Sequence, residues 1–275
     1  MIPLLDSWTL QTLDWTSPLL SLLVVSPLMA LLWLVQRRTG DAGIVDVAWA
    51  AGLGSAGILA AWTGDGETIR RMIVGGMAGV WGFRLAGHLL TDRILGDHGE
   101  DGRYRALREE WGDGFQRRLF WFYQGQAILV AVLAIPFAVA CARRGGVPDV
   151  FDLVGVTLWG ISILGESIAD RQLAAFRSNP ANRGKTCRSG LWRYSRHPNY
   201  FFEWIHWWAY AVIALPGPSG WIALFAPALM LFFMLKVTGI PPTEAQALKS
   251  RGDDYREYQR TTSAFIPWFP RKRAS

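Results

Sequence analysis

The sequence predicts an all-α integral membrane protein with seven transmembrane helices, its N-terminus outside and its C-terminus cytoplasmic. Three observations carry that prediction. The 275-residue chain is 51% hydrophobic yet only 18% charged, and its charges are clumped rather than spread over a surface as a soluble domain would have them. Several uncharged stretches reach the roughly 20 residues a bilayer-spanning helix needs. Of its 28 Lys and Arg, 22 fall on one side of the implied spans and 4 on the other, the asymmetry that sets orientation in membranes. The aliphatic and aromatic content, with 15 Trp, excludes disorder. Two cysteines, Cys141 and Cys187, exclude a disulfide framework and a Cys-rich zinc site.

The elements follow in order. No charge interrupts residues 15–36, 47–64 or 119–142, and each stretch holds one span. The uncharged run 204–235 is too long for one span. It breaks at Pro216-Gly217-Pro218-Ser219-Gly220, so it reads as a hairpin of two. Weaker spans lie at about 72–90, interrupted by Arg84, and at about 151–170, which carries Glu166 near its end. The first span lacks a basic leader and a small-residue cleavage site, so it is expected to be retained. Tyr104, Leu107, Trp111 and Phe115 share one helical face in the loop before the fourth span, which predicts a helix on the membrane surface. After Pro241-Pro242, Thr243 is expected to cap a last helix running to about Arg260. The chain reads as one membrane domain with two parts, 1–118 and 119–275.

Ionisable groups inside spans are costly and mark functional cavities. Asp46 opens the second span and Arg84 interrupts the third. Glu166 and Asp170 are one turn apart on the fifth. Asn199, Glu203 and His206 occupy one face of the sixth. Between Asp170 and Asn199 lies a loop with seven Lys or Arg and no acid, ending in Trp192-Arg193-Tyr194-Ser195-Arg196-His197-Pro198-Asn199-Tyr200. The bland account of such a loop is a topology signal plus attraction to anionic headgroups. Its place between two spans bearing inward carboxylates adds a second account. Arginine forks match phosphate geometry, aromatic planes stack on bases, and carboxylates accept from ribose hydroxyls or amides. A phosphate-rich aromatic cofactor reached from the cytoplasm fits that mix. Nucleic acid does not, because the basic residues have no soluble domain to sit on.

Gly52-x-Gly54-x-x-Gly57 matches a dinucleotide fingerprint but lies inside a span with no preceding strand. Close helix packing is the expected use of these glycines, and of Gly75, Gly79 and Gly82. The four His show no metal-ligand spacing, so no metal is expected.

Arg196-His197-Pro198-Asn199-Tyr200-Phe201-Phe202-Glu203 resembles a motif of the steroid 5α-reductase superfamily, most closely its bacterial DUF1295 branch. Further resemblances are Asp46-Val47-Ala48-Trp49, Trp81-Gly82-Phe83-Arg84-Leu85, Glu100-Asp101-Gly102-Arg103-Tyr104, the segment from Glu166 to Arg177, and Gly239-Ile240-Pro241 through Glu244 and Tyr255 to Phe265-Ile266-Pro267. The resemblance implies a seven-helix fold that binds NADPH from the cytosol and reduces a carbon–carbon double bond in a lipid. By position, Asp170, Arg177, Asn199 and Glu203 match family residues at the cofactor, and Arg84 matches an arginine near its phosphates. Glu166, Arg171, Arg193, Tyr194, Arg196, His197, Tyr200, Glu244 and Tyr255 lie in or beside the motifs and join the cofactor-binding set. The reductases use a Glu on the second span and a Tyr on the third to polarise an enone. Here the Tyr position is Trp81, whose N–H donates a hydrogen bond but is no acid, and the nearest candidate for the Glu is Asp46. That departure counts against a 3-oxo-steroid substrate, though not against reduction.

The expected activity is therefore NADPH-dependent reduction of a lipid or steroid-like substrate. Asp46, Trp81 and His206 are the candidates for stabilising charge on the substrate oxygen. Two other classes stay open. Membrane methyltransferases that use S-adenosylmethionine share the Arg-His-Pro-x-Tyr element, and a non-enzymatic lipid-binding role is compatible with any fold.

Overall fold

The computed structural model describes residues 15–96 and 100–271. Among them the regular structure is helical, with one isolated parallel bridge between Ser195 and Ser263. The chain folds as two compact units: one of residues through Val154 with Tyr210–Leu224, the other of Gly155–Ala209 with Phe225 onward.

The first unit is built on α1 (Thr16–Thr39), α2 (Ile44–Thr63), α3 (Thr68–Leu89), the short α4 (Gly102–Trp111) and α5 (Phe115–Ala142). The glycines of the fingerprint-like run serve helix contact. A Cβ on Gly82 of α3 would lie 2.6 Å from the Gly54 Cα of α2, and one on Gly75 would lie 2.6 Å from the Ala61 Cβ. Small residues let backbones close in where lipid offers no hydrophobic drive. Polar contacts tie α1 to α5: Ser26 Oγ donates to Gln124 Oε1 (2.6 Å) and Trp33 Nε1 to the Gln116 carbonyl (3.0 Å). Helix α4 starts on an Asp101 cap that accepts from the Arg103 amide at 2.8 Å.

At the turn joining α2 and α3, Arg70 is fully buried. It grips Asp152 with two bonds (2.8 and 2.9 Å) and donates to the carbonyls of Arg143 (3.0 Å) and Gly146 (2.9 Å). Arg143 in turn donates to the Ile213 carbonyl at 2.8 Å and pairs with Asp149. These charges form a buried ionic knot.

The second unit takes most of α6 (Val150–Ser178), the start of α7 (Pro198–Ala214), α8 (Phe225–Phe232) with the π-helical turn Phe233–Val237, then α9 (Ile240–Arg251) and α10 (Asp253–Thr261). Gly165 of α6 lets the Phe202 ring of α7 pack where a Cβ would stand. The expected hairpin break is present: α7 stops at Ala214, and Gly217 and Gly220 close successive turns by donating to the carbonyls of Ala214 and Gly217 (2.9 Å each).

The last helix differs from expectation. It starts at Ile240, because Pro241 and Pro242 fall in the first turn, where a missing N–H costs nothing. Thr243 does not cap it; its hydroxyl faces Tyr200 instead (3.2 Å). The helix also breaks at Gly252, whose φ of 53° only glycine adopts readily.

Among the described residues six helices are long and apolar enough to cross a membrane: Thr16–Thr39, Ile44–Thr63, Thr68–Asp92, Gly102–Ala142, Val150–Ser178 and Gly220–Arg251. The remaining apolar helix, α7, has 17 residues. The protein is a multi-pass membrane protein.

Candidate functional site

The second unit gathers most of the sequence-selected polar residues around the loop between α6 and α7. The loop is anchored to α6 first. Trp192 Nε1 donates to the Ala169 carbonyl (2.9 Å), and the Leu191 amide donates to Gln172 Oε1 (2.8 Å). Gly190, with φ of 59°, makes the turn, and a Cβ there would collide with the Gln172 amide. Next to this anchor, Asn199 Nδ2 reaches Asp170 Oδ1 at 3.4 Å, joining α7 to α6. Glu203 is one turn further along α7, half-buried, and Glu166 is buried one turn before Asp170. His206 is fully buried deeper in α7, its ring edge-on to Trp207 at 5.4 Å.

The Arg-His-Pro element is held by α9 and α10. The Glu244 carboxylate accepts from Arg196 Nε (2.6 Å), His197 Nε2 (3.2 Å), Tyr255 OH (3.3 Å) and Gln259 Nε2 (2.7 Å). Arg196 also caps the end of α10, donating to the carbonyls of Gln259 (2.9 Å) and Thr262 (2.8 Å). Burial is the largest influence on His197 and lowers its pKa below the usual imidazole value, although Glu244 pulls the other way. The neutral ring therefore meets the carboxylate with Nε2–H as donor, and it stacks on Tyr200 with centroids 5.4 Å apart. Burial likewise raises the pKa of Tyr258, which stays a phenol and donates to the carbonyls of Trp192 and Ser195.

This arrangement divides the basic loop. Arg196 and Arg188 are engaged by acids, Arg188 by Asp254 (2.7 Å) and Glu257 (3.4 Å). Partial burial works upward on Asp254, but the Thr186 amide and Arg188 hold its carboxyl below the usual range. Arg171, Arg177 and Arg193 are exposed, as are Arg183 and Lys185. Tyr194 is half-buried against Phe269, its carbonyl accepting from the Trp268 amide (2.9 Å).

The other predicted residues belong to the first unit. Trp81 is fully buried on α3, edge-on to Trp49 at 6.4 Å, and Arg84 lies half-buried one turn later. Asp46 accepts with both oxygens, from Arg103 (2.7 Å) and Tyr104 (2.8 Å). Both of these contacts use the carboxylate oxygens as acceptors. Asp46 thereby ties the surface helix α4 to the start of α2. Glu100 completes that tie by accepting from the Ala42 amide (3.1 Å) and Arg108 (2.8 Å). Among the described residues no group of three or more His, Cys, Asp or Glu is arranged to hold a metal ion.

Gln259, Ser195 and Tyr258 were not in the expected site set. Tyr258 and Ser195 brace the loop through backbone groups, and Gln259 bonds Glu244 and the Arg196 side chain. The Tyr255-x-x-Tyr258 spacing was a signal for Tyr258; no local spacing marks Gln259.

The fold defines a helical, multi-pass membrane protein with a polar assembly around the loop between α6 and α7. The family model described as "Protein of unknown function (DUF1295)" matches residues 32–262. The chain belongs to the DUF1295 family. Neither the curated proteins nor the solved structures gave a match.

Proposed function

We propose that this protein is an NADPH-dependent reductase of a carbon–carbon double bond in a lipid or steroid-like molecule, within the steroid 5α-reductase superfamily. The observation that carries the reading is the pairing of Asn199 with Asp170 across α6 and α7, beside arginines that carry no internal ion pair among the described residues. Arg171, Arg177 and Arg193 leave guanidinium forks open for phosphates. Asp170, Asn199 and Glu203 offer the acceptors and amide that a ribose or nicotinamide amide requires. These donors and acceptors fit the cofactor. When bound, NADPH supplies a hydride; the residues here bind and orient it and exclude water. Glu244 holds Arg196 and His197 in place, a positioning role rather than contact with cofactor. For the substrate, the Trp81 N–H of the first unit and, separately, His206 of the second remain candidates for polarising an oxygen. Asp46, engaged by Arg103, is read as a structural acceptor.

The proposal includes seven spans, with α7 as the short one, an external N-terminus, a cytoplasmic C-terminus and a bacterial inner membrane.

A second reading, an S-adenosylmethionine-dependent lipid methyltransferase, is favoured by one observation. Two of the loop's basic residues, Arg188 and Arg196, are already neutralised by acids, as suits a cofactor without phosphates. Titration of the purified protein with NADPH, NADH and S-adenosylmethionine, read by melting temperature, separates the readings. NADPH is expected to stabilise, by about 2.7 kcal/mol at 100 times its Kd. Asn199→Ala and Arg177→Ala are each expected to weaken NADPH binding about tenfold, the value of one charge-assisted contact, with membrane insertion unchanged. Stabilisation by S-adenosylmethionine alone would replace the proposal with the second reading, and a response to none of the three would favour a lipid-binding role.

A further inference from the structure

Beyond the last helix, residues 263–271 run without regular structure yet are pinned at several points. Ser263 bridges Ser195, and its carbonyl accepts from the Arg196 amide (2.9 Å). The Phe265 carbonyl accepts from Ser195 Oγ (2.7 Å), and its buried ring packs edge-on against Phe201 and Trp204 of α7. The Trp268 amide donates to Tyr194 and the Arg271 amide to Thr261 (2.8 Å). A segment fixed this firmly nevertheless presents three large apolar side chains outward: Ile266, Trp268 and Phe269 are 58%, 71% and 77% exposed. They belong to no candidate span. An apolar patch held out by a rigid backbone marks a contact surface.

The level of the patch follows from its anchor. The loop it is bonded to is tied at Trp192 to Ala169, the twentieth residue of the 29-residue α6. About 20 helical residues cross the hydrocarbon core, so Ala169 stands where the helix leaves it. The remainder of α6 projects about 14 Å further. The segment is therefore placed at headgroup depth, where Trp and Phe rings are favoured. Charge agrees: Arg260 and Arg271 of this region are exposed.

We propose that residues 263–271 form a membrane-docking strap, with Ile266, Trp268 and Phe269 inserted among lipid headgroups and Arg260 and Arg271 binding the phosphates of anionic lipids. The strap would fix the Arg193–Arg196 loop against the bilayer surface. It stands independently of the proposed chemistry.

The test uses the full chain in nanodiscs of phosphatidylcholine, with and without phosphatidylglycerol. Hydrogen exchange of 263–271 in the unaltered protein is expected to slow when the anionic lipid is present and to recover in high salt. Arg271→Ala is expected to forfeit about fivefold of that protection, the worth of one basic residue near such a surface. A photoreactive benzoylphenylalanine in place of Phe269 is expected to capture lipid. Exchange indifferent to anionic lipid, or capture confined to a second copy of the chain or to solvent, would overturn the proposal.

Discussion

Glu244 is the single acceptor on which Arg196, His197, Tyr255 and Gln259 converge, so Glu244→Ala tests the site most directly. Truncation leaves the Arg196 guanidinium without its carboxylate in a place where the two side chains are only 11% and 14% exposed. Breaking a fully buried pair costs about 3–5 kcal/mol. The residual exposure here admits some water, so about 2–3 kcal/mol is expected. At about 2–4 °C per kcal/mol for a chain of this size, the melting temperature in detergent should fall by about 4–12 °C. Glu244→Gln keeps the shape and one acceptor oxygen and should lose about half as much. The double variant with Arg196→Ala should be less destabilised than the sum of the singles, because the stranded charge leaves with its partner. Thermal melts of the four proteins supply the cycle. A Glu244→Ala protein melting within about 1 °C of the parent, or strictly additive losses, would refute the view of Glu244 as the organising acceptor.

Other outcomes follow from the same geometry. Arg70→Met should destabilise by about 3–5 kcal/mol by stranding buried Asp152, and Asp152→Leu added to it should recover part of the loss; melts of both report it. Gly82→Ala should cost about 1–3 kcal/mol through forced separation of α2 and α3, whereas Gly76→Ala, with nothing within 4 Å of its Cβ, should be near neutral. The folded His197 is less basic than its unfolded value of about 6.5. Its contribution is thus complete above that pH and is lost as pH falls below it, with a slope of up to about 1.4 kcal/mol per pH unit. Melting temperature should drop between pH 7 and 5, and His197→Asn should flatten the profile; a steeper profile in that variant would contradict the burial argument.

The spans were legible because lipid imposes one-dimensional rules. Charge-free length locates helices without knowledge of tertiary contacts, and the starts of α1, α2 and α5 lie within four residues of the expected stretches. The same simplicity made the packing role of Gly54 and Gly82 readable once a strand context was lacking. The end of α6 was not readable, because polar residues in the final turns dilute the apolar signal: Asp170, Arg171 and Arg177 all continue α6 as helix to Ser178. The Arg70–Asp152 pair was opaque for another reason. Its partners stand 82 residues apart, and near the end of a span a buried arginine looks like a topology charge.

The proposed cofactor site shows why composition overcounts. Seven basic residues lie between Asp170 and Asn199 in a loop that holds no acid, and four of them, Arg171, Arg177, Arg193 and Arg196, entered the expected cofactor set. The neutralising carboxylates come instead from α9 and α10, 48 residues on for Arg196 and 66 for Arg188. A guanidinium satisfied by a carboxylate has spent its fork geometry and most of its charge, so it shapes the loop instead of gripping a ligand. In the proposed function, nucleotide recognition would then rest on the exposed Arg171, Arg177 and Arg193 with the Asp170–Asn199 pair. Loss of Arg196 should therefore depress stability before affinity, whereas loss of Arg177 should depress affinity alone.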